Sequence, residues 1–440
     1  MNAPTPPTSP LVAPLPGNGA QAPPARPAPS RASSGSRSNA VPDFIRSLAR
    51  SAPATFHGKD RLRYYAEHVN RFTDQQRDVL AAFLDRFIRK MNTLGASDLD
   101  IGGHATSGRV WYRVDGDKRP YDETGTSNSD EIDVLLLNMA GETQQQELFD
   151  QGAIDFSYQL EGPKGMFRFR ATMYFDYQHL GLCMRAISQD LRPLKSVGFH
   201  PAIERGLMFE HVRDGLTLVT GVTGSGKSTT LDAIIDANNE SFPGHIVLIA
   251  KPVEYMHTPK QCIVRHREVG QDVGSFKDGI VQSLRQDPDI IVVGEMRDPE
   301  TISSAIEAAD SGHKVFSTLH TSSAVESLDR MIAEYPHAEQ DRVRNRLADT
   351  LRCVISQKLL PKVGGGRVLC KEVLWLTPSV RAAIKNENVG EIYQMIWEGG
   401  RLGMVTLEQD LVRLLKERKI TTETAINFAN NKRRLQQLIQ

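Results

Sequence analysis

The stretch GVTGSGKSTT at residues 221–230 carries the strongest indication of the fold. Its glycines, lysine and serine match the pattern G-x-x-x-x-G-K-[ST] at Gly221, Gly226, Lys227 and Ser228. The apolar run GLTLVT comes directly before it, and STTLDAIIDANNE follows with a composition typical of a helix. A strand, a glycine-rich turn and a helix in this order predict a loop whose backbone N–H groups surround phosphate groups.

The residue types in this loop suit a nucleoside triphosphate bound with Mg²⁺. Lys227 is expected to reach the β and γ phosphates, and the Ser228 hydroxyl is expected to bind Mg²⁺. Glycine allows the backbone to turn its N–H groups inward without a steric penalty. The predicted nucleotide-binding residues are Gly221, Thr223, Gly224, Ser225, Gly226, Lys227, Ser228 and Thr229.

Acidic and histidine side chains follow three further apolar runs. The run DIIVVGE places Glu295 at the carboxyl end of a strand, where ligands of open α/β sheets bind, so that Glu295 is a second candidate for holding Mg²⁺ through water. Glu254 follows the run HIVLIA. His313 and His320 flank the run KVFSTL, at the two ends of one predicted strand, and are candidates for positioning the γ phosphate.

The organisation of the chain changes near residue 205. Beyond it, strands alternate with helices, which predicts a mostly parallel α/β sheet. Before it, a helix with a Thr73–Gln76 capping box and several strand-like runs predict a small α+β domain. Apolar residues spaced by three and four predict a long helix near the carboxyl end: Val343, Leu347, Leu351, Val354, Ile355 and Leu359.

Composition and charge narrow the class of protein. With 53 basic and 53 acidic side chains the formal net charge is zero, which disfavours a nucleic-acid motor, and we expect no direct nucleic-acid partner. No apolar run reaches the roughly 18 residues of a transmembrane helix, and prolines interrupt the start from Pro4, so a cytoplasmic protein is expected. The 4 cysteines have no C-x-x-C spacing and are expected to be reduced, mostly buried thiols.

Several stretches together resemble the PilT/secretion ATPase superfamily, over roughly residues 95–430. GVTGSGKSTTL is similar to its Walker A motif, LRQDPDIIVVGEMRDPETI to its Walker B motif, and SGHKVFSTLHTSSAVESLDRMI to its His box. SDLDIGG and YRVDGD resemble the start of its N-terminal PAS-like domain.

The composition of the first 42 residues and the resemblance of the rest together predict an α/β fold with four parts. These are a disordered Pro/Ala/Ser-rich tail at 1–42, an N-terminal α+β PAS-like domain at 43–195, a RecA-like P-loop ATPase core at 196–345 and a mainly helical C-terminal region at 346–440. The resemblance also implies ATP and Mg²⁺ as ligands and a homo-hexameric ring. Such a ring would lie in the cytoplasm and reach the inner membrane through components of a secretion or conjugation machine.

Catalytic roles are implied residue by residue. Glu295 would be the Walker B glutamate, Glu254 the base toward the attacking water, and His313 and His320 the His-box pair. The arginines of FRFRATMY and LCMRAI would stabilise charge on the γ phosphate, namely Arg168, Arg170 and Arg185.

One departure bears on the activity. The family's Glu-Asp-Pro-Ile-Glu stretch is replaced here by Ala250-Lys251-Pro252-Val253-Glu254, which loses two acids and gains a lysine. If the lost acids steer Mg²⁺ or water, hydrolysis is slowed or regulated, and a nucleotide-gated docking ring with little turnover becomes an alternative function.

The cysteine spacing excludes the four-cysteine zinc module of type II secretion and pilus-extension ATPases. The insertion-like stretch 135–165, the altered acidic stretch and the proline-rich tail resemble the DotB/TraJ branch of type IVB secretion and conjugative transfer. The main expectation is therefore an ATPase that powers type IV secretion or conjugation, with type IV pilus retraction as the alternative.

Overall fold

The computed structural model describes residues 41–114, 116–121, 128–162, 165–187 and 191–440. The tail expected at 1–42 lies outside the described residues, apart from Val41 and Pro42, which lead into the first helix. Val41–Gln440 form one compact unit.

The N-terminal part of this unit is an α+β domain with an antiparallel sheet. Its helices are α1 (Asp43–Ser51), α2 (Gly58–Asn70), α3 (Asp74–Leu94), α4 (Ser129–Leu137) and α5 (Glu142–Gln151). Its strands are β1 (Asp98–Gly102), β2 (Trp111–Val114), β3 (Asp117–Pro120), β4 (Ala153–Gly162), β5 (Gly165–Asp176) and β6 (His179–Ile187). The strands form a 6-stranded sheet in the order β3-β2-β1-β6-β5-β4.

Local sequence explains why α3 begins and ends where it does. The Thr73 hydroxyl accepts a hydrogen bond from the Gln76 backbone N–H while the Gln76 side chain bonds back to Thr73, which confirms the predicted capping box. Gly95 ends the helix in the left-handed conformation, with a φ of 63°. The buried face of α3 packs into the domain core through Leu80, Phe83, Leu84, Phe87, Ile88 and Met91.

The second part is the parallel α/β core, preceded by α6 (Pro201–Leu207). Its strands are β7 (Gly215–Thr220), β8 (His245–Ala250), β9 (Ile263–Glu268), β10 (Ile290–Val293), β11 (Lys314–Leu319), β12 (Leu351–Pro361) and β13 (Arg367–Trp375). Its helices are α7 (Lys227–Ser241), α8 (Phe276–Ser283), α9 (Pro299–Asp310), α10 (Ala324–Ala333) and α11 (His337–Thr350). The 7-stranded sheet has the order β13-β12-β7-β11-β10-β8-β9, and only the β12–β13 pair is antiparallel. The RecA-like core expected from the sequence is thereby confirmed.

The prediction of one long helix through residues 343–359 is wrong. Helix α11 ends at Thr350, and the chain continues directly into β12, which pairs with β7 on one side and β13 on the other. β12 is buried over most of its length, and its Val354 and Ile355 are β-branched residues that favour a strand. The sheet therefore extends to Trp375, well past residue 345, where the sequence placed the end of the core.

The C-terminal segment beyond the sheet is helical. It contains α12 (Pro378–Lys385), α13 (Val389–Glu398), α14 (Leu407–Lys416), α15 (Thr422–Phe428) and α16 (Lys432–Ile439). The cysteines are free thiols, and three of them, Cys262, Cys353 and Cys370, are buried. None of the helices that the structure describes combines the length and apolar character needed to cross a membrane.

Candidate nucleotide site

The phosphate loop connects β7 to the first turn of α7 at the carboxyl edge of the parallel sheet. Gly221, Gly224 and Gly226 have φ angles of 147°, 80° and 90°, which side-chain-bearing residues rarely adopt. A Cβ atom at Gly221 would also collide with the Ser225 side chain and the Gln357 carbonyl oxygen. The loop is therefore a closely fitted cradle, and the N-terminal end of the 15-residue helix α7 points into it.

Lys227 lies across this loop. Its Nζ donates to the carbonyl oxygens of Gly221, at 2.7 Å, and Val222, at 3.2 Å. Burial lowers the pKa of Lys227, while the carboxylates of Glu295 and Glu254 oppose that shift. Both acids therefore lie within electrostatic reach of the lysine that the loop pattern assigns to the phosphates.

Glu295 follows β10 and lies beside two further polar groups. Its Oε2 is 2.7 Å from Nη2 of Arg297 and 3.8 Å from Nε2 of His320. Burial, together with the nearby charges of Lys227 and Arg297, lowers the pKa of His320 below its ordinary value. The imidazole is consequently neutral at pH 7, with one ring nitrogen as a donor and the other as an acceptor.

Two arginines approach the loop from the N-terminal sheet. Arg170 and Arg185 are direct partners in the β5–β6 pairing. The Arg185 Nε donates to Oδ1 of Asp98 at 2.8 Å, and this bond raises the pKa of Arg185, so its guanidinium is oriented and charged. Arg170 is exposed, and its Nη2 lies 3.9 Å from Oδ2 of Asp155.

One cavity of about 770 Å³ unites these groups between the N-terminal sheet and the parallel core. From the predicted site its lining includes Thr223, Gly224, Gly226, Lys227, Ser228, Thr229, Glu254, Glu295, His320, Arg170 and Arg185. Lys251, the lysine of the altered acidic stretch, is exposed and also lines the cavity.

Two predicted residues do not lie with the rest. His313 precedes β11 at the end opposite the loop, where its carbonyl oxygen accepts a hydrogen bond from Gly215 N at the start of β7. A strand of six residues spans about 20 Å, so His313 and His320 cannot act on one phosphate group. Arg168 is only 4% exposed and donates to the Val253 carbonyl oxygen rather than lining the cavity.

Sequence reasoning missed Arg297. It stands two residues after Glu295 in the GEMRD run, and that spacing after a buried strand was the signal that could have identified it.

The donor set fits a nucleoside triphosphate with Mg²⁺. The buried Ser225 hydroxyl has no hydrogen-bond partner among the described residues and does not line the cavity, so the fit rests on the groups that do, beginning with Lys227 for the phosphates. Oxygen donors preferred by Mg²⁺ are supplied by Ser228 and by the carboxylate of Glu295.

Comparison with known proteins agrees with this geometry. The family model for "Type II/IV secretion system protein" matches residues 73–372. The chain belongs to the type II/IV secretion system protein family. Members related to this chain are PilT and secretion ATPases, and the chain is accordingly an ATPase of the PilT/secretion superfamily, as the sequence motifs implied.

Three relatives illustrate the similarity. The type IV pilus retraction ATPase PilT of Pseudomonas aeruginosa is 39% identical over 335 residues, which cover 75% of this chain and 93% of PilT. The crystal structure of the pilus retraction motor PilT with bound ADP is 35% identical, with a TM-score of 0.70, over 80% of this chain and 98% of that one. The X-ray structure of the Legionella pneumophila ATPase DotB is 26% identical, with a TM-score of 0.67, over 78% of this chain and 94% of that one.

Proposed function

We propose that this chain hydrolyses Mg-ATP as one subunit of a homo-hexameric ring, and that the ring powers retraction of a type IV pilus. The identity to PilT, 39% over 93% of that protein, supports retraction over type IV secretion or conjugation, the main expectation from the sequence. The ring would lie in the cytoplasm and engage inner-membrane components of the pilus machine.

The observation that carries the proposal is the convergence of two carboxylates and two arginines on the phosphate loop. The loop N–H groups and Lys227 bind the β and γ phosphates. Ser228 and Glu295 would hold Mg²⁺, which when bound neutralises charge on the phosphate oxygens. Glu254, which lines the same cavity, would accept the proton of the attacking water.

The remaining polar groups stabilise charge that develops during transfer. The guanidinium groups of Arg170 and Arg185 face the loop from the N-terminal sheet and would neutralise the γ-phosphate oxygens. Neutral His320, beside Glu295, supplies one N–H donor without adding a competing charge. The arginines and the loop belong to different domains. Hydrolysis separates the γ phosphate from ADP and would therefore weaken the electrostatic attraction that links those domains.

A steady-state ATPase assay tests the chemistry. The wild type is measured beside Glu254→Gln, Glu295→Gln and the control Glu307→Gln, which makes the same chemical change at an exposed position on α9. We expect each site variant to lose about 10²-fold or more in kcat, and the control to keep its activity. Light scattering measures the oligomeric state of every sample. Turnover that survives in both site variants would refute the two-carboxylate mechanism.

Type IV secretion remains the second candidate because DotB covers nearly the same length of the chain. Deletion of the gene in the organism that carries it separates the two functions. Retraction predicts non-retracting surface pili and loss of twitching, whereas secretion predicts normal pili and loss of protein or DNA transfer.

A nucleotide-gated docking ring is favoured by one observation, the exposed Lys251 in the place of an acidic residue. A well-formed wild-type ring that binds ATP without turnover would establish that function instead.

A further inference from the structure

Val253, directly before Glu254, is held through the two peptide groups on either side of its Cα. Its carbonyl oxygen accepts a hydrogen bond from Nη2 of Arg168 at 2.9 Å, and its N–H donates to Oε2 of Glu268 at 3.0 Å. Val253, Arg168 and Glu268 are all buried. Because the buried peptide groups on both sides of the Val253 Cα are hydrogen-bonded, neither rotates freely, so the direction in which the chain leaves toward Glu254 is fixed.

The same segment is anchored again three residues beyond Glu254. The His257 N–H donates to Nε2 of His266 at 3.0 Å, and the His257 ring lies 3.2 Å from Asp232 on α7. Burial lowers the pKa of His266 to about 4, which leaves its imidazole neutral and able to accept that hydrogen bond. Glu254 therefore projects from a short stretch tied down at Val253 and at His257.

One of these anchors comes from the other domain. Arg168 belongs to β5 of the N-terminal sheet, two residues before Arg170, and crosses to the segment that follows β8. A second bond crosses the same boundary nearby, because the Ser157 hydroxyl of β4 donates to Oε1 of Glu268 at 3.3 Å. The N-terminal sheet thus contacts the main chain of the Glu254 segment through the side chain of Arg168, and it contacts the cavity through Arg170.

We propose that Arg168 is a positioning residue for Glu254, and not a nucleotide contact as its sequence motif implied. Because Arg168 holds the Val253 carbonyl, the position of Glu254 depends on the position of the N-terminal sheet. A shift of that sheet away from the core withdraws the bond and misplaces Glu254, so the base works only in one arrangement of the two domains. The inference rests on the proposed role of Glu254 as base.

Paired variants on β5 separate positioning from binding. Arg168→Met keeps the length of the buried side chain but removes its donors, and Arg170→Met makes the same change two residues away on the cavity wall. We expect Arg168→Met to lower kcat about 10-fold or more with unchanged affinity for a fluorescent ATP analogue, since about 1 Å of misplacement costs up to 10²-fold. Arg170→Met is expected to weaken nucleotide affinity as well. Arg168→Lys, which retains one donor for the Val253 carbonyl, should recover part of the lost kcat.

The double variant Arg168→Met/Glu254→Gln provides the decisive measurement. If Arg168 acts only through Glu254, the double variant is no slower than Glu254→Gln alone. An additive loss, an unchanged kcat in Arg168→Met, or a loss of nucleotide affinity equal to that of Arg170→Met would each overturn the inference.

Two further arms keep the outcomes distinct. Glu254→Gln with full activity would contradict the proposed base itself, whatever Arg168 does. Glu268→Met removes the partner of the Val253 N–H, on the other side of the Val253 Cα, so it must reproduce the fall in kcat at constant affinity. If Arg168→Met does not fold, Glu268→Met tests whether the bonds at Val253 position Glu254. Wild-type affinity together with wild-type kcat in Glu268→Met would then refute that positioning role.

Discussion

Lys314 offers a quantitative test of the packing beneath the nucleotide site. It is the first residue of β11, at the end away from the phosphate loop, and is 1% exposed. Its Nζ donates to the carbonyl oxygens of Gly206 at 3.0 Å and Val212 at 2.7 Å, so it ties the segment that joins the two domains to the sheet. Burial lowers the pKa of Lys314 from 10.5 to about 7.

The sign of the resulting pH dependence follows from proton linkage. The folded pKa lies below the unfolded one, so between pH 7 and about pH 10 the unfolded chain holds more protons. Stability contributed by Lys314 therefore rises with pH across this window. Between pH 7 and pH 9 the gain is about 2 kcal/mol for the two pKa values above.

The perturbation is Lys314→Met, which abolishes the titration while filling the same space. Urea unfolding followed by circular dichroism at pH 7 and pH 9 measures the effect. The wild-type midpoint should rise between these pH values by about 0.7 M more than that of the variant, at a slope of about 3 kcal/mol/M.

Lys277→Met serves as the control because Lys277 is exposed, pairs with Glu300 at 2.9 Å and has a raised pKa, so it does not titrate between pH 7 and pH 9. Its pH response should equal that of the wild type. Equal responses of the wild type and Lys314→Met would refute the reasoning, since the lysine would then be protonated in both states.

Three further predictions concern the site. Gly221→Ala should abolish binding of a fluorescent ATP analogue, because the new Cβ collides with Ser225 and the φ of 147° is strained; unchanged affinity would contradict the fitted cradle. His320→Gln should lower kcat about 10²-fold while His313→Gln changes it less than about twofold, as steady-state assays would show; equal losses would place both at the phosphate. Arg185→Ala should reduce the single-turnover rate constant about 10³-fold, and a rate constant near that of the wild type would exclude Arg185 from γ-phosphate stabilisation.

The phosphate site was predictable because its residues are fixed by local sequence. The loop at Gly221–Lys227 requires glycine at particular φ angles, the short run GLTLVT before it is typical of a strand and is buried throughout, and the stretch after it has the composition of a helix. Glu295 follows from the same logic, since a carboxylate placed directly after a buried parallel strand emerges at the ligand-binding edge. In each case a few consecutive residues contain the whole argument.

The failures have a different physical origin. Spacing by three and four made residues 343–359 resemble one helix. The β-branched Val354 and Ile355 were a local indication of a strand, but the pairing that decides it joins Ile355 to Val219 of β7, which is distant in the sequence. Arg168 and Arg170 stand two residues apart in the stretch FRFRATMY, and the family resemblance implied one role for both. Only the approach of the Val253 carbonyl, on a distant segment, distinguishes the buried arginine from the exposed one.

The altered acidic stretch is best understood through the charge of the cavity. The acidic side chains that line it are Asp232, Glu254 and Glu295, and the lysines and arginines are Arg170, Arg185, Lys227, Lys251, Arg297 and Arg367. The excess of basic groups suits an anionic triphosphate, and Lys251 increases it where the family has an acid. Because a positive charge attracts ADP as well as ATP, we expect Lys251 to slow product release. Glu254, the proposed proton acceptor, is retained, and its segment is held at Val253, so the departure is compatible with ATP hydrolysis that is limited by product release.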